Sequence, residues 1–249
     1  KEMQAVEKVL QNLQEDDDNL YRSIFEAEPI PAALREGGVG GVNRYKDLEG
    51  YDNSKMVVET AKRLDRIRKK VYFQSKSFDE LKALAKEKEV MLRAIPAIMP
   101  ISNNDLTRTA SGFGLRVHPF YKITKFHAGM DFTSPMGTEV YSTGNGVVVD
   151  VVASQRGYGK HIIVDHGFGY ESVYAHLDRF NVRKGQKVQR GDVIGFVGNT
   201  GMSLAPHLHY EIKLNGRNVD PINYYFNDLS ASEYEKIIEI ASKTGQSFD

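Results

Sequence analysis

The chain has 249 residues, with 33 basic and 33 acidic side chains, so the basic surplus expected of a nucleic-acid binder is absent. It has no cysteine, which excludes disulfides and thiolate metal sites and leaves histidine and carboxylate to hold any metal. With 41% hydrophobic residues it is long enough for one large or two small domains, and no apolar run approaches the roughly 20 residues of a membrane span.

Residues 1–95 read mostly as helix. Val6, Val9, Leu10 and Leu13 recur at helical spacing, followed by Leu20, Ile24 and Phe25. Asp16, Asp17 and Asp18 read as a solvated helix surface. Pro29, Pro31 and the glycine-rich run Gly37 to Gly41 break the pattern. A second helical pattern runs from about Asn53 to Arg93, carried by Val57, Leu64, Ile67, Val71, Leu81, Leu84 and Leu92. About forty helical residues span roughly 60 Å. Two such segments joined by a glycine-rich loop predict an antiparallel hairpin, coiled-coil-like, with surface left over for a dimer or protein partner. Because Lys1 already lies inside a helical pattern, an anchor or secretion signal is expected ahead of it.

Pro96 and Pro100 mark a boundary, beyond which the pattern turns to short strands. Val147, Val149 and Val151 alternate with other residues, although Val148 and Val152 interrupt the alternation. Ile162 to Val164 is a short apolar run before a turn at Asp165 to Gly169, and two turn signals lie between Val182 and Val197. Strands separated by glycine turns indicate an antiparallel β domain. The segment Ser232 to Lys243 opens with a Ser-x-x-Glu pattern (Ser232, Glu235) and carries Tyr234, Ile237, Ile238 and Ala241 as one helical stripe. The expected class is α+β: a long helical hairpin over 1–95, an antiparallel all-β domain over 96–228 and a C-terminal helix over 229–249.

Three short pieces concentrate four histidines and an aspartate: His127-Ala-Gly-Met-Asp131, Tyr174-Ala-His176-Leu and His207-Leu-His209-Tyr-Glu211. Neutral imidazole nitrogens and a carboxylate oxygen suit Zn²⁺, and three protein ligands with one open position make a catalytic site rather than a structural one. Five candidates leave three for the metal and two for acid/base work, the composition of a zinc hydrolase. On a strand, His207 and His209 face the same side and Leu208 and Tyr210 the other. His127 and Asp131 would lie about 13 Å apart in an extended strand, too far to share an ion, so the chain is expected to turn between His127 and Gly129 with Asp131 opening a strand. His161 and His166 read as solvated residues beside a turn. Glu211 shares a strand face with His209 and is placed either as a hydrogen-bond partner of a metal-bound histidine or as an exposed glutamate. Tyr174, two before His176, is placed on the same strand face, either against the substrate or packed.

Together with Ser111-Gly-Phe-Gly-Leu-Arg-Val-His-Pro119, Gly191-Asp-Val-Ile-Gly195, Gly198-Asn-Thr-Gly201 and Pro206, these pieces resemble the M23 metallopeptidases, the LytM or lysostaphin-like peptidoglycan endopeptidases, over roughly residues 100 to 225. The resemblance implies His127, Asp131 and His209 as zinc ligands and His176 and His207 as catalytic residues. Arg116 and His118 join Tyr174 as substrate-binding candidates lining the cleft. Leu204-Ala205 stands where active members more often carry Thr-Gly, a departure that bears on one cleft wall and not on the metal. No His-Glu-x-x-His is present, so a histidine rather than a glutamate must accept the proton of the attacking water. The implied activity is hydrolysis of peptidoglycan stem-peptide cross-links, on the periplasmic side of the cell envelope, by an anchored or secreted protein. A D-Ala to diaminopimelate link and a glycine bridge both stay open, and a membrane-anchored or periplasmic protein of a Gram-negative cell favours the first, hence D,D specificity. Some LytM-like proteins have lost zinc ligands and activate amidases instead, but the ligand set here is complete. The Lys184–Val188 and Arg190–Gly195 segments look like a lipoyl-carrier hairpin, but without a modifiable lysine motif this is similarity of β architecture only.

Overall fold

The computed structural model describes residues 2–36, 45–50, 53–102, 106, 108–225, 227–243 and 247–248. The Gly37 to Gly41 break lies outside the described residues. The chain forms two compact units, Lys1–Glu89 and Val90–Asp249.

The first unit is helical. Helix α1 (Glu2–Asp16) continues through a π-helical turn (Asp17–Tyr21) into α2 (Arg22–Ile24). Then come α3 (Ala32–Glu36), a 3-10 turn (Lys46–Leu48) and α4 (Ser54–Ala94), whose last residues, from Val90, count with the second unit. The helical region is there, but its pairing runs the other way from an antiparallel hairpin. Glu7 pairs with Arg63, Asp17 with Gln74 and Ser77, and Arg22 with Ser77 and Glu80. Residue numbers rise together on both helices, so α1 and α4 are parallel. The long connection makes this possible: Tyr45 donates its hydroxyl to Asp65 Oδ2 at 2.7 Å, back at the level where Arg63 meets Glu7. Asp17 is not on a solvated surface. It is fully buried, and its Oδ1 lies 3.3 Å from Nε of the buried Arg22. A buried charge persists only when it is paired, and the π turn begins where this one enters the core.

The second unit is built from antiparallel strands: β1 (Thr109–Ser111), β2 (Gly114–Val117), β3 (Thr124–His127), β4 (Met130–Thr133), β5 (Glu139–Tyr141), β6 (Gly146–Val152) and β7 (His161–Gly167). After these come β8 (Tyr170–Ala175), β9 (Leu177–Phe180), β10 (Lys187–Val188), β11 (Val193–Val197), β12 (His207–Leu214) and β13 (Arg217–Val219). The main sheet has eight strands in the order β1-β4-β12-β8-β7-β6-β10, with β13 added beside β12. A smaller sheet runs β5-β11-β9, and β2 and β3 form a two-stranded ribbon. A β-bulge between Val148 and Asp150 accounts for the broken alternation in the Val147–Val152 run.

Met130, Phe132, Leu208, Tyr210 and Ile212 turn one face of β4 and β12 into the core. Helix α5 (Ala231–Lys243) adds Ile237 and Ala241 to the same core. It starts earlier than the Ser232 pattern implies. Ser230 and Glu233 form the capping box, with the Ser230 amide donating to Glu233 Oε2 at 2.9 Å and the Glu233 amide donating to Ser230 Oγ at 3.4 Å. Ile238, about 100° around the helix from Ile237, faces solvent rather than joining the stripe.

Candidate metal centre

Register on the central strands assembles the centre. In the antiparallel pairing of β12 with β4, His209 stands opposite Asp131 and His207 opposite Thr133. Directly opposed residues project from the same face. Asp131, His207, His209 and Glu211 therefore share one face, while Met130, Phe132, Leu208 and Tyr210 take the other. His127 arrives differently. It ends β3 in the ribbon, and Ala128-Gly129 turn the chain before β4 begins at Met130. Gly129 allows this turn to press against β12, because a Cβ there would overlap the Tyr210 carbonyl.

His127 Nε2, Asp131 Oδ1 and His209 Nδ1 meet at 3.1, 3.0 and 3.1 Å. The opposite ring nitrogens are engaged. His127 Nδ1 donates to the Gly112 carbonyl at 2.7 Å, and His209 Nε2 donates to Glu211 Oε1 at 3.0 Å. With each N–H committed outward, two lone pairs and a carboxylate oxygen point at one spot. Three acceptors repel one another unless a cation sits between them, and tetrahedral ligands about 2.0–2.2 Å from one ion lie roughly 3.3 Å apart. The residues fit a zinc-type ion. All three side chains are buried. Burial alone would raise the Asp131 pKa; without a cation between them, His127 and His209 in their protonated form outweigh it and hold the carboxyl well below the usual range, the role the ion takes over when the rings are neutral. Glu211 behaves alike: burial pushes it up, and hydrogen bonds from His209, Tyr158 and Asn218 bring it below its ordinary value.

His176 and His207 stand beside the three, their ring centroids 4.7 Å apart. His207 Nδ1 donates to the Ala205 carbonyl at 2.8 Å and turns Nε2 inward, 3.9 Å from Asp131 Oδ1. His176 Nδ1 donates to the Thr200 carbonyl at 2.7 Å. Strand alternation alone would put His176 in the core beside Tyr174. Its φ of 60°, just past the end of β8, reverses the chain and swings the imidazole to the site face. The left-handed conformation is held by His176 N–H donating to the Tyr158 carbonyl at 2.9 Å, with Leu177 N–H on the Lys160 carbonyl.

Two expected substrate contacts are corrected. Tyr174 is fully buried on the core face, and its hydroxyl is taken up by Thr143 and Ser172 at 2.9 and 3.0 Å. Arg116 spends its guanidinium on the carbonyls of Gly112, Phe113 and Ala241, tying the ribbon to α5. His118 does line the cavity of about 350 Å³ beside the metal cluster, with Lys125, Phe126, Tyr158 and Met202. His166 is not solvated. It is buried, bridging the Asn145 carbonyl and Ser172 Oγ at 2.9 and 2.7 Å. Two residues escaped the sequence reading. Tyr158 stacks on His209 with centroids 5.7 Å apart and donates its hydroxyl to Glu211. Asn218 donates to Glu211 Oε2 at 2.7 Å. The glycines flanking Tyr158 were a signal, whereas Asn218 carried none.

Residues 125–221, the span that holds the whole cluster, match the model of Peptidase family M23. The chain belongs to peptidase family M23 through this domain. Over 137 residues it is 39% identical to the DD-carboxypeptidase/endopeptidase Mpg of Neisseria meningitidis, covering 55% of this chain and 31% of that protein. Over 105 residues it is 46% identical to the peptidoglycan DD-endopeptidase ShyA of Vibrio cholerae, covering 42% of this chain and 24% of that protein. The catalytic domain of the antimicrobial peptidase lysostaphin from Staphylococcus simulans aligns at 30% identity and a TM-score of 0.45, covering 49% of this chain and 94% of that domain. The M23 chain thus spans about a third or less of the length of these two curated relatives.

Proposed function

We propose that this M23 chain is a zinc-dependent endopeptidase that hydrolyses the peptide cross-links of bacterial peptidoglycan, acting in the cell envelope with D,D specificity. The observation that carries this reading is the convergence of His127 Nε2, Asp131 Oδ1 and His209 Nδ1, with two further histidines beside them whose Nδ1–H groups are fixed on carbonyls. The substrate class rests on the relatives, whose names give peptidoglycan and DD-endopeptidase.

When bound, zinc supplies Lewis acidity, bringing the pKa of a water to about 7 and polarising a carbonyl. The chain's own residues do the rest. His127, Asp131 and His209 hold the ion. Glu211, itself gripped by Tyr158 and Asn218, keeps His209 in the tautomer that turns Nδ1 inward. His176 and His207 each donate through Nδ1, which leaves Nε2 for acid/base work. One takes the proton of the attacking water, and the other holds a proton toward the developing oxyanion. His118 is assigned to the substrate-binding wall. Residues 96–228 are assigned as the catalytic domain, and residues 1–95 as a region that regulates, dimerises or positions it.

The test is metal content measured alongside digestion of cross-linked peptidoglycan. One zinc per chain and new cross-link cleavage products, both lost in His127→Ala, are expected. Zinc without cleavage in the unaltered chain, under conditions where the ShyA peptidase cleaves, overturns the assignment. Unchanged activity and oligomeric state without residues 1–95 would remove the role given to that region.

A further inference from the structure

Phe248 is 117 positions from Asp131 in sequence, yet its amide donates to Asp131 Oδ2 at 3.0 Å. Its ring lies against His207, with centroids 5.7 Å apart. Leu204 N–H donates to the Phe248 carbonyl at 3.2 Å, and Ser247 N–H donates to the Val117 carbonyl at 3.3 Å. Ser247 is buried and forms part of the cavity wall beside His127 and His209. Two consecutive residues thus make three main-chain hydrogen bonds. These reach the end of β2 on one side, the link before β12 on the other, and the metal-holding carboxylate between them. Main-chain pairing along an extended segment is how grooves hold peptides of varied sequence.

We infer that Ser247–Phe248 is an inhibitory strap, a stretch of the chain's own backbone laid in the groove that takes the substrate peptide and closed over the metal centre. The inference rests on the peptidase reading given above. The geometry separates the strap from the ion. Asp131 Oδ1 faces His127 and His209, whereas Oδ2 takes the Phe248 amide, so strap and ion use different oxygens. The strap therefore does not displace the metal. It occupies the approach beside His207, where a scissile peptide must come. The Leu204 amide is the clamp on the far side of the strap. Opening breaks these main-chain hydrogen bonds and the Phe248–His207 ring contact, which competition from a bound cross-linked peptide can supply.

The test compares the zinc-loaded full chain with Phe248→Pro, which lacks the amide hydrogen and the ring, and with Ser247→Pro, which lacks the Val117 bond. Two quantities are read: kcat/KM on a cross-linked muropeptide, and the rate at which a chelator strips the zinc. The strap predicts that Phe248→Pro cleaves about tenfold faster, as for a competent state populated at about one part in ten. It also predicts that zinc leaves faster at unchanged equilibrium affinity, with Ser247→Pro shifting both in the same direction. Cleavage that is unchanged, or that falls together with zinc affinity, overturns the strap and makes Phe248 a buttress of Asp131. If no form cleaves, the peptidase reading fails on its own, and the chelator still decides the strap. Faster stripping in Phe248→Pro at unchanged zinc affinity then supports a cover over the metal, and equal rates, or faster stripping with weaker affinity, overturn it.

Discussion

Glu211 Oε1 accepts the Nε2–H of His209 at 3.0 Å, and this one bond decides which nitrogen of His209 faces the metal-holding cluster. The carboxylate is itself buried and held by Tyr158 and Asn218, so it neither rotates nor protonates easily. Replacing Glu211 with alanine frees the ring to adopt the other tautomer. Zinc affinity is expected to fall about 10- to 100-fold, the usual cost of losing such a partner. Competition with a chromophoric chelator measures it, and an affinity equal to the parent's would show that the bond does not orient the ligand.

His176 and His207 are expected to separate from the metal ligands in experiment. Alanine at either position should leave one zinc bound while lowering kcat by about 10²–10⁴, the range of a lost acid/base group or oxyanion donor. Alanine at His127 or His209 should remove both zinc and activity. Metal analysis and turnover on the same preparations distinguish the two classes, and loss of zinc in His176→Ala would move that residue among the ligands.

Gly129 sits where a Cβ would run into the Tyr210 main-chain carbonyl. Backbone cannot swing aside as a flexible side chain can. Gly129→Ala should therefore destabilise the second unit by about 1–3 kcal/mol, as overpacking does. Because the displaced segment joins His127 to Asp131, zinc affinity should fall as well. Urea melts followed by metal titration read both effects, and a variant matching the parent in both would disprove the close approach.

Burial, opposed by the hydrogen bond to Asn145, sets the pKa of His166 below the ordinary 6.5. The unfolded chain then binds a proton more readily than the folded one between that lowered value and about 6.5. Stability rises with pH wherever the unfolded state holds more protons. The contribution of His166 is therefore full above about 6.5 and is lost as the pH falls through that window, levelling off once the folded form is protonated too. Melting temperatures from about pH 7.5 down to about pH 5 should fall, with a shallower slope in His166→Gln. Identical slopes would place the titration elsewhere.

What was legible in the sequence followed from short-range geometry. The two-residue spacing of His207 and His209 fixes them on one strand face, and β12 obeys it. The four-residue gap from His127 to Asp131 demanded a bend, and Ala128-Gly129 lie between β3 and β4. The order of helices, strands and closing helix followed from periodicity and punctuation in the same way, because hydrophobic spacing within a dozen residues reflects the local period. Everything that required knowing which distant segment lies alongside was decided by the tertiary structure. Register alone places Asp131 opposite His209, and no local pattern encodes it. Alternation put Tyr174 and His176 on one face, but contacts with Tyr158 and Lys160 hold His176 at positive φ and send the two side chains to opposite faces. The apolar stripes of the two long helices predicted that they pair, but a stripe has no direction. The contacts of Asp17 and Arg22 with Gln74, Ser77 and Glu80, on top of Glu7 with Arg63, set the pairing parallel. Phe248 over Asp131 is the extreme case, because a main-chain amide leaves no mark in a sequence until the fold has chosen its acceptor.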